Sequence, residues 1–233
     1  VEEESSMSHK IVGHNIKGFD LPYLIRSTML NRAKGKSYLT PARGKFWPDL
    51  FHDTMEFEGA GEYGFRVSLD NLARQYGIDG KNGNGKLFYT YSRPEQESYL
   101  ENDLRVTKNI FERQNESFDL CDKYTIIDIE TAPKSDAEIM ALAPSFNADN
   151  VKVGNLKDPS KIEEKIEAAR ESHYDVIINK AALYAKYSNP VAIGYIHHDG
   201  NIELDFGEPK KLIERFWEVS GNIWSNWLAD NNL

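Results

Sequence analysis

The sequence predicts an α/β fold, and three observations carry that assignment. Tyr124-Thr125-Ile126-Ile127-Asp128-Ile129-Glu130-Thr131 is rich in β-branched and aromatic residues and is stopped by Ala132-Pro133, the pattern of a central strand. Residues 94–113 read as the strongest helix. Pro94 stands near its start, Glu95 and Glu97 are early, and Arg105, Lys108 and Arg113 are late, as the helix macrodipole favours. Residues 190–196 and 201–206 read as two strands joined by His198-Asp199-Gly200, a hairpin signal.

A chain of 233 residues can bury a core as one large domain or two small ones, and the single-domain reading is taken for 1–233. The hydrophobic fraction of 40% and aromatic fraction of 12% exclude a disordered chain. No apolar run approaches a bilayer span, and the acidic opening Val1-Glu2-Glu3-Glu4-Ser5 argues against a signal peptide. The lone Cys121 excludes an internal disulfide and suits a reducing compartment, so a cytoplasmic location is expected. A net charge of −9 argues against coating nucleic acid by charge alone, but not against gripping a short stretch of strand.

In chain order, Lys10-Ile11-Val12-Gly13-His14-Asn15 reads as a short strand closed by a polar pair. The next stretch starts a helix, where Asp20 taken alone reads as a plain N-cap, with Pro22 in the first turn and Leu21, Leu24, Ile25 and Met29 as its apolar face. Arg26, Arg32, Lys34, Lys36, Arg43 and Lys45 form a basic cluster that is either a solvated face or a phosphate contact. Residues 49–55 read as another strand, and residues 68–77 as a helix capped by Ser68 and ended by Gly77. Lys81-Asn82-Gly83-Asn84-Gly85-Lys86 reads as a loop only, because its glycines lack nucleotide-loop spacing. Residues 160–172 read as a loosely held surface helix, since Glu163/Glu167 and Lys161/Lys165 are like-charged pairs. Pro209 opens a helix through Leu212, Ile213, Phe216 and Trp217, and His197 and His198 belong to a solvated turn.

Side chains alternate along a strand, so Asp128 and Glu130 share one face at its exit. Two adjacent carboxylates repel each other and lose hydration, a cost that divalent cations offset. Tyr99 and Asp103, four apart, share a helix face. These segments resemble a known set. Asp128-Ile129-Glu130-Thr131 resembles the first motif of the DnaQ-like, or DEDD, superfamily of 3′–5′ exonucleases. The stretch Gly13-His14-Asn15-Ile16-Lys17-Gly18-Phe19-Asp20-Leu21-Pro22-Tyr23-Leu24 is similar to the second motif, and Tyr99-Leu100-Glu101-Asn102-Asp103 to the third. Tyr four residues before Asp resembles the DEDDy branch. The long second motif is similar to the proofreading domains of family B DNA polymerases and their stand-alone, phage-like relatives.

The resemblance implies a ribonuclease-H-like mixed β-sheet flanked by helices. The motif order, however, is second, third, first, so the chain resembles a circular permutant with family order 124–233 followed by 1–114. Val1 and Leu233 are then expected close together, with residues 115–123 as an exposed crossing. The activity implied is removal of nucleotides from the 3′ end of single-stranded DNA, with two Mg²⁺ or Mn²⁺ ions roughly 3.5–4 Å apart. Asp128, Glu130, Asp20 and Asp103 would be the metal-binding and catalytic carboxylates, and Tyr99 would orient the attacking water. Thr131, Asn15 and Phe19 would contact the terminal nucleotide. A proofreading role would require a polymerase or replication partner. Alternatives are an exoribonuclease acting on RNA 3′ ends and an inactive nucleic-acid-binding module of the same fold.

Overall fold

A computed structural model describes residues 9–36, 50–60, 62 and 64–230, with side chains to residue 225. The chain forms two compact units. One comprises the chain up to Thr131 together with Pro190 onward, and the other is Ala132–Asn189. The expected meeting of Val1 and Leu233 lies outside the described residues, as do Arg43 and Lys45 of the basic cluster.

Among the described residues the strands are β1 (Lys10–Gly13), β2 (Phe51–Asp53), β3 (Tyr124–Pro133), β4 (Ser188–His197) and β5 (Ile202–Phe206). They form one mixed sheet in the order β2-β1-β3-β4-β5, which puts β3 in the middle. β1 runs parallel to both neighbours, with Val12 opposite His52 on one side and Ile126 on the other. β4 and β5 pair antiparallel across the expected hairpin, whose turn uses Gly200 at φ +86°. β2 is shorter than the strand expected over residues 49–55. Asp53 ends it by accepting the N–H groups of Met55 and Glu56, which opens helix α2 (Thr54–Glu58).

Helix α1 (Asp20–Leu30) begins one residue differently from expectation. Phe19 stands at the cap without a side-chain bond, and Asp20 is the first helical residue, buried rather than capping. Helix α3 (Leu69–Gln75) has Ser68 accepting the Asn71 N–H, and Gly77 ends it at φ +69°. Helix α4 (Arg93–Phe118) is opened by a Ser92/Glu95 capping box and outruns its predicted end at 113. The expected crossing over residues 115–123 is therefore helical in its first four residues and exposed over most of its length, Cys121 being buried. Gln114 is buried between His52 and the Thr54 carbonyl. Asn115 then clamps the following turn: its Oδ1 accepts the Leu120 and Cys121 N–H groups, and its Nδ2 donates to the Cys121 carbonyl.

Helix α4 sets the layer that matters for the site. Tyr124 and Ile126 of β3 pack in one cluster with Tyr99, Leu100, Leu104 and Phe111 of α4 and with Ala192 and Ile196 of β4. By the period of two, Asp128 and Glu130 continue the same face of β3 beyond Ile126. Gly194 on β4 allows the close approach. A Cβ there would stand 2.5 Å from Leu104 Cδ1 and 3.0 Å from Leu100 Cγ. Helix α8 (Pro209–Asp230) runs well past its predicted extent and packs on α1, where the Trp217 indole N–H donates to Thr28 Oγ1.

The second unit holds α5 (Asp136–Leu142), α6 (Pro159–Glu171) and α7 (His173–Ile178), with α7 packed on the other two. Neither α6 nor α7 buries a residue, and for α6 the like-charged pairs Glu163/Glu167 and Lys161/Lys165 imply as much. At its base Lys134 N–H donates to the Tyr187 carbonyl at 2.8 Å. No helix among the described residues is long and apolar enough to cross a membrane.

Candidate metal centre

The central strand and α4 bring three carboxylates together. Asp103, Asp128 and Glu130 each offer an oxygen within 4.8 Å of the others. Asp103 is 2% exposed, whereas Asp128 and Glu130 stand half-buried at the strand exit. Asp20 lies outside that group of three, but it is buried and its charge is felt by Glu130. Tyr99, one turn before Asp103, is buried, its ring edge-on to Phe88. The structure thus gathers the four acids and the tyrosine that the sequence separates, with Asp20 set apart from the innermost trio.

The electrostatics follow from burial and like charge. Burial, then the Asp103 charge, pushes the Asp128 carboxyl up to about 7. Burial and then Asp128 raise Glu130, and burial and then Asp128 likewise raise Asp20. Asp103 is also raised by burial, while Lys81 pulls it back. Burial and the neighbouring acids hold the Tyr99 hydroxyl protonated far above its ordinary range. An arrangement of acids that resist ionisation beside one another is the environment a hard cation with oxygen ligands reverses. Two atoms support that fit. Asp103 Oδ1 and the Tyr99 hydroxyl are buried without a hydrogen-bond partner, a condition that native interiors rarely leave unanswered.

Sequence reasoning missed two residues here. Lys81, taken as part of a plain loop, places its Nζ 2.5 Å from Asp103 Oδ2 and 5.2 Å from the Tyr99 ring centre. Burial works against its charge, but Asp103, Asp128 and Glu130 outweigh that and hold the ammonium above its usual range. The loop is laid on α4 by the Asn82 N–H, which donates to Asn102 Oδ1 at 3.0 Å. Gly83 rests on the Tyr99 ring so closely that a Cβ would sit 2.8 Å from it. The other is Asp53 at the end of β2, which besides capping α2 accepts the N–H groups of Asn15 at 2.9 Å and Lys17 at 3.0 Å. It thereby fixes the turn that delivers Asp20. No spacing rule marks a lysine in a glycine-rich loop, whereas Asp followed two and three residues on by a helical start is a readable cap signal.

The residues expected to meet a nucleotide are less enclosed. Asn15 is half-buried in a left-handed turn at φ 58°, and Phe19 is half-buried with its ring 5.7 Å from that of Tyr23. Thr131 follows Glu130 on β3 and is half-buried. No protein-family description, curated protein or solved structure matches this chain.

Proposed function

We propose that the chain is a metal-dependent 3′–5′ exonuclease of the DnaQ-like, DEDDy type, releasing mononucleotides from the 3′ end of single-stranded DNA. The observation that carries this reading is the convergence of Asp103, Asp128 and Glu130, with Asp20 beside them and the Tyr99 hydroxyl unbonded next to Asp103. The sheet supports a permuted ribonuclease-H-like fold. Counted from β3, its order is third, second, first, fourth, fifth strand, so neighbours are consecutive in family order except where the fourth strand crosses over to pair with the first.

In this reading Asp103, Asp128 and Glu130 hold the cations, and Asp20 acts from one step farther out. When bound, Mg²⁺ or Mn²⁺ activates a water and offsets charge on the attacked phosphate and the leaving oxygen. The water oxygen bonds to phosphorus, the bond from phosphorus to the 3′ oxygen breaks, and that oxygen takes a proton. Tyr99 stays protonated, so its hydroxyl serves as a hydrogen-bonding group that orients the water and not as a base. Lys81 draws the Asp103 carboxyl down against the upward push of burial and adds positive charge where phosphate charge develops. Asn15, Phe19 and Thr131 hold the terminal nucleotide, Phe19 by stacking. Such an enzyme would work in the cytoplasm with a polymerase or replication partner.

The test is a time course on 3′- and 5′-labelled single-stranded DNA and RNA, with Mg²⁺, Mn²⁺ or EDTA, run beside Asp128→Asn. The expected result is immediate release of the 3′ label, a ladder shortening stepwise from the 5′-labelled strand, and no reaction in EDTA. Full activity in EDTA, or cleavage at internal positions, overturns the proposal. A preference for RNA converts it to an exoribonuclease.

A further inference from the structure

The far end of α1 carries cations that the catalytic reading does not use. Residues 21–36 contain Arg26, Arg32, Lys34 and Lys36 and no acid, in a chain whose net charge is −9. All four are exposed, as are Met29 and Leu30 between them. Among the described residues none of the four side chains enters an ion pair, whereas Lys17, Arg74, Lys81, Arg105, Lys108 and Arg215 all do.

This end is anchored. Arg32 takes a left-handed φ of 50°, reversing the chain after the helix, and the Ala33 N–H returns to the Thr28 carbonyl at 3.0 Å. Gly35 folds back so closely that a Cβ would lie 3.2 Å from Thr28 Cγ2 and 3.6 Å from Trp217 Nε1. Thr28 is itself held by the Trp217 indole N–H at 2.8 Å. The neighbouring acid Glu214 accepts the Lys34 backbone N–H at 3.3 Å instead of pairing with a cationic side chain of the turn. Arg32, Lys34 and Lys36 are therefore displayed on a fixed turn, Arg26 stands on α1 just before it, and all four are left available to an outside anion.

We infer that the Arg26–Arg32–Lys34–Lys36 turn is a phosphate-gripping surface for the single strand upstream of the scissile bond, an assignment that rests on the exonuclease reading of the carboxylate site. The helix sets the distance. α1 starts at Asp20 and is 11 residues long, so its cationic end stands about 16 Å from that carboxylate's backbone. That span is about five stacked nucleotides at roughly 3.4 Å each. Phosphates meet the cations, and Met29 and Leu30 supply apolar contact for bases. A single strand satisfies both, and its 3′ end then reaches the carboxylates along the same helix.

The experiment separates this surface from the chemistry. Binding of a fluorescein-labelled single strand is followed by anisotropy in EDTA against salt concentration, for the wild type and for R26Q/R32Q/K34Q/K36Q. Hydrolysis of the p-nitrophenyl ester of thymidine 5′-phosphate with Mn²⁺, a substrate too short to reach the turn, is measured alongside. The expected result is a quadruple variant that binds on the order of 10–100-fold more weakly, with a salt slope shallower by roughly 2–3, at about 0.7 for each phosphate no longer neutralised. The weakening should appear only once the strand passes about five nucleotides, and ester hydrolysis should be unchanged. Equal affinity and equal slope overturn the inference, even if the variant has lost binding to anionic vesicles instead. A wild type that binds strand through this turn but hydrolyses neither substrate overturns the exonuclease reading and leaves the surface standing.

Discussion

Replacing Asp128 by Asn should stabilise the metal-free protein, and the structure gives both sign and scale. The Asp128 carboxyl has its folded value raised from 3.8 to about 7 by burial and by Asp103. A group raised on folding contributes stability that is fully present below its unfolded value and is lost as pH climbs through the folded one. Above about pH 7 the ionised carboxylate therefore opposes folding. At about 1.4 kcal/mol per tenfold change the ceiling is about 4 kcal/mol. Asp128 stands half-buried at the strand exit and shares its protons with neighbours, so solvent and coupling leave about 1–3 kcal/mol. Asn keeps the shape and removes the charge. Urea denaturation in EDTA should show the variant more stable by that amount near pH 8, roughly 2–4 °C in Tm per kcal/mol, and indistinguishable near pH 4. Saturating Mn²⁺ should stabilise the wild type and reverse the ranking. A variant less stable than wild type near pH 8 without metal, or the same difference at both pH values, would refute the reasoning.

Three further outcomes follow from the same geometry. Tyr99→Phe should lower kcat by roughly 10–10³-fold with KM and stability nearly unchanged, because only an unbonded buried hydroxyl is lost; an unaltered kcat would return Tyr99 to packing. Lys81→Met removes the cation opposing Asp103, Asp128 and Glu130, so these carboxyls ionise at higher pH. Calorimetric titration with Mn²⁺ should then place the onset of metal binding at higher pH than in the wild type, and a shift toward acid would contradict the assignment. Gly194→Val drives a side chain into Leu104 and Leu100 of α4, and should cost about 1–3 kcal/mol in denaturant melts while weakening Mn²⁺ binding through Asp103.

How far the sequence could be read depended on whether a feature repeats. β3 and α4 were legible because β-branched alternation, a capping pattern and graded charge all extend over many residues. The same alternation placed Asp128 and Glu130 on one face, and helical spacing placed Tyr99 with Asp103. Ends were harder. The polar run at Gln114-Asn115-Glu116-Ser117 suggested a break, yet buried bonds from Gln114 to His52 and Thr54 carry the helix through it. Taken alone Asp20 read as a cap, and only the motif resemblance made it a site carboxylate, because the turn before it is set from β2, through Asp53, and no local rule contains that partner. Lys81 acquires its place from where the loop lies on α4, a tertiary fact with no periodic trace. The Ala132–Asn189 unit buries little in α6 and α7, so its pattern was weak for a physical reason.

The Asn115 clamp has a consequence for how the protein is made. Because it turns α4 directly into β3, Tyr99, Asp103, Asp128 and Glu130 sit on two consecutive elements joined by one short, internally bonded turn. The loop entropy lost in pairing them is small, and contacts between near neighbours in sequence form early. The expectation for synthesis is that this part of the acidic pocket can assemble before β4 is made to cover the other edge of β3. Asp20, translated earlier but held through β1 and β2, would then add its charge to a centre whose mutual repulsion is already in place.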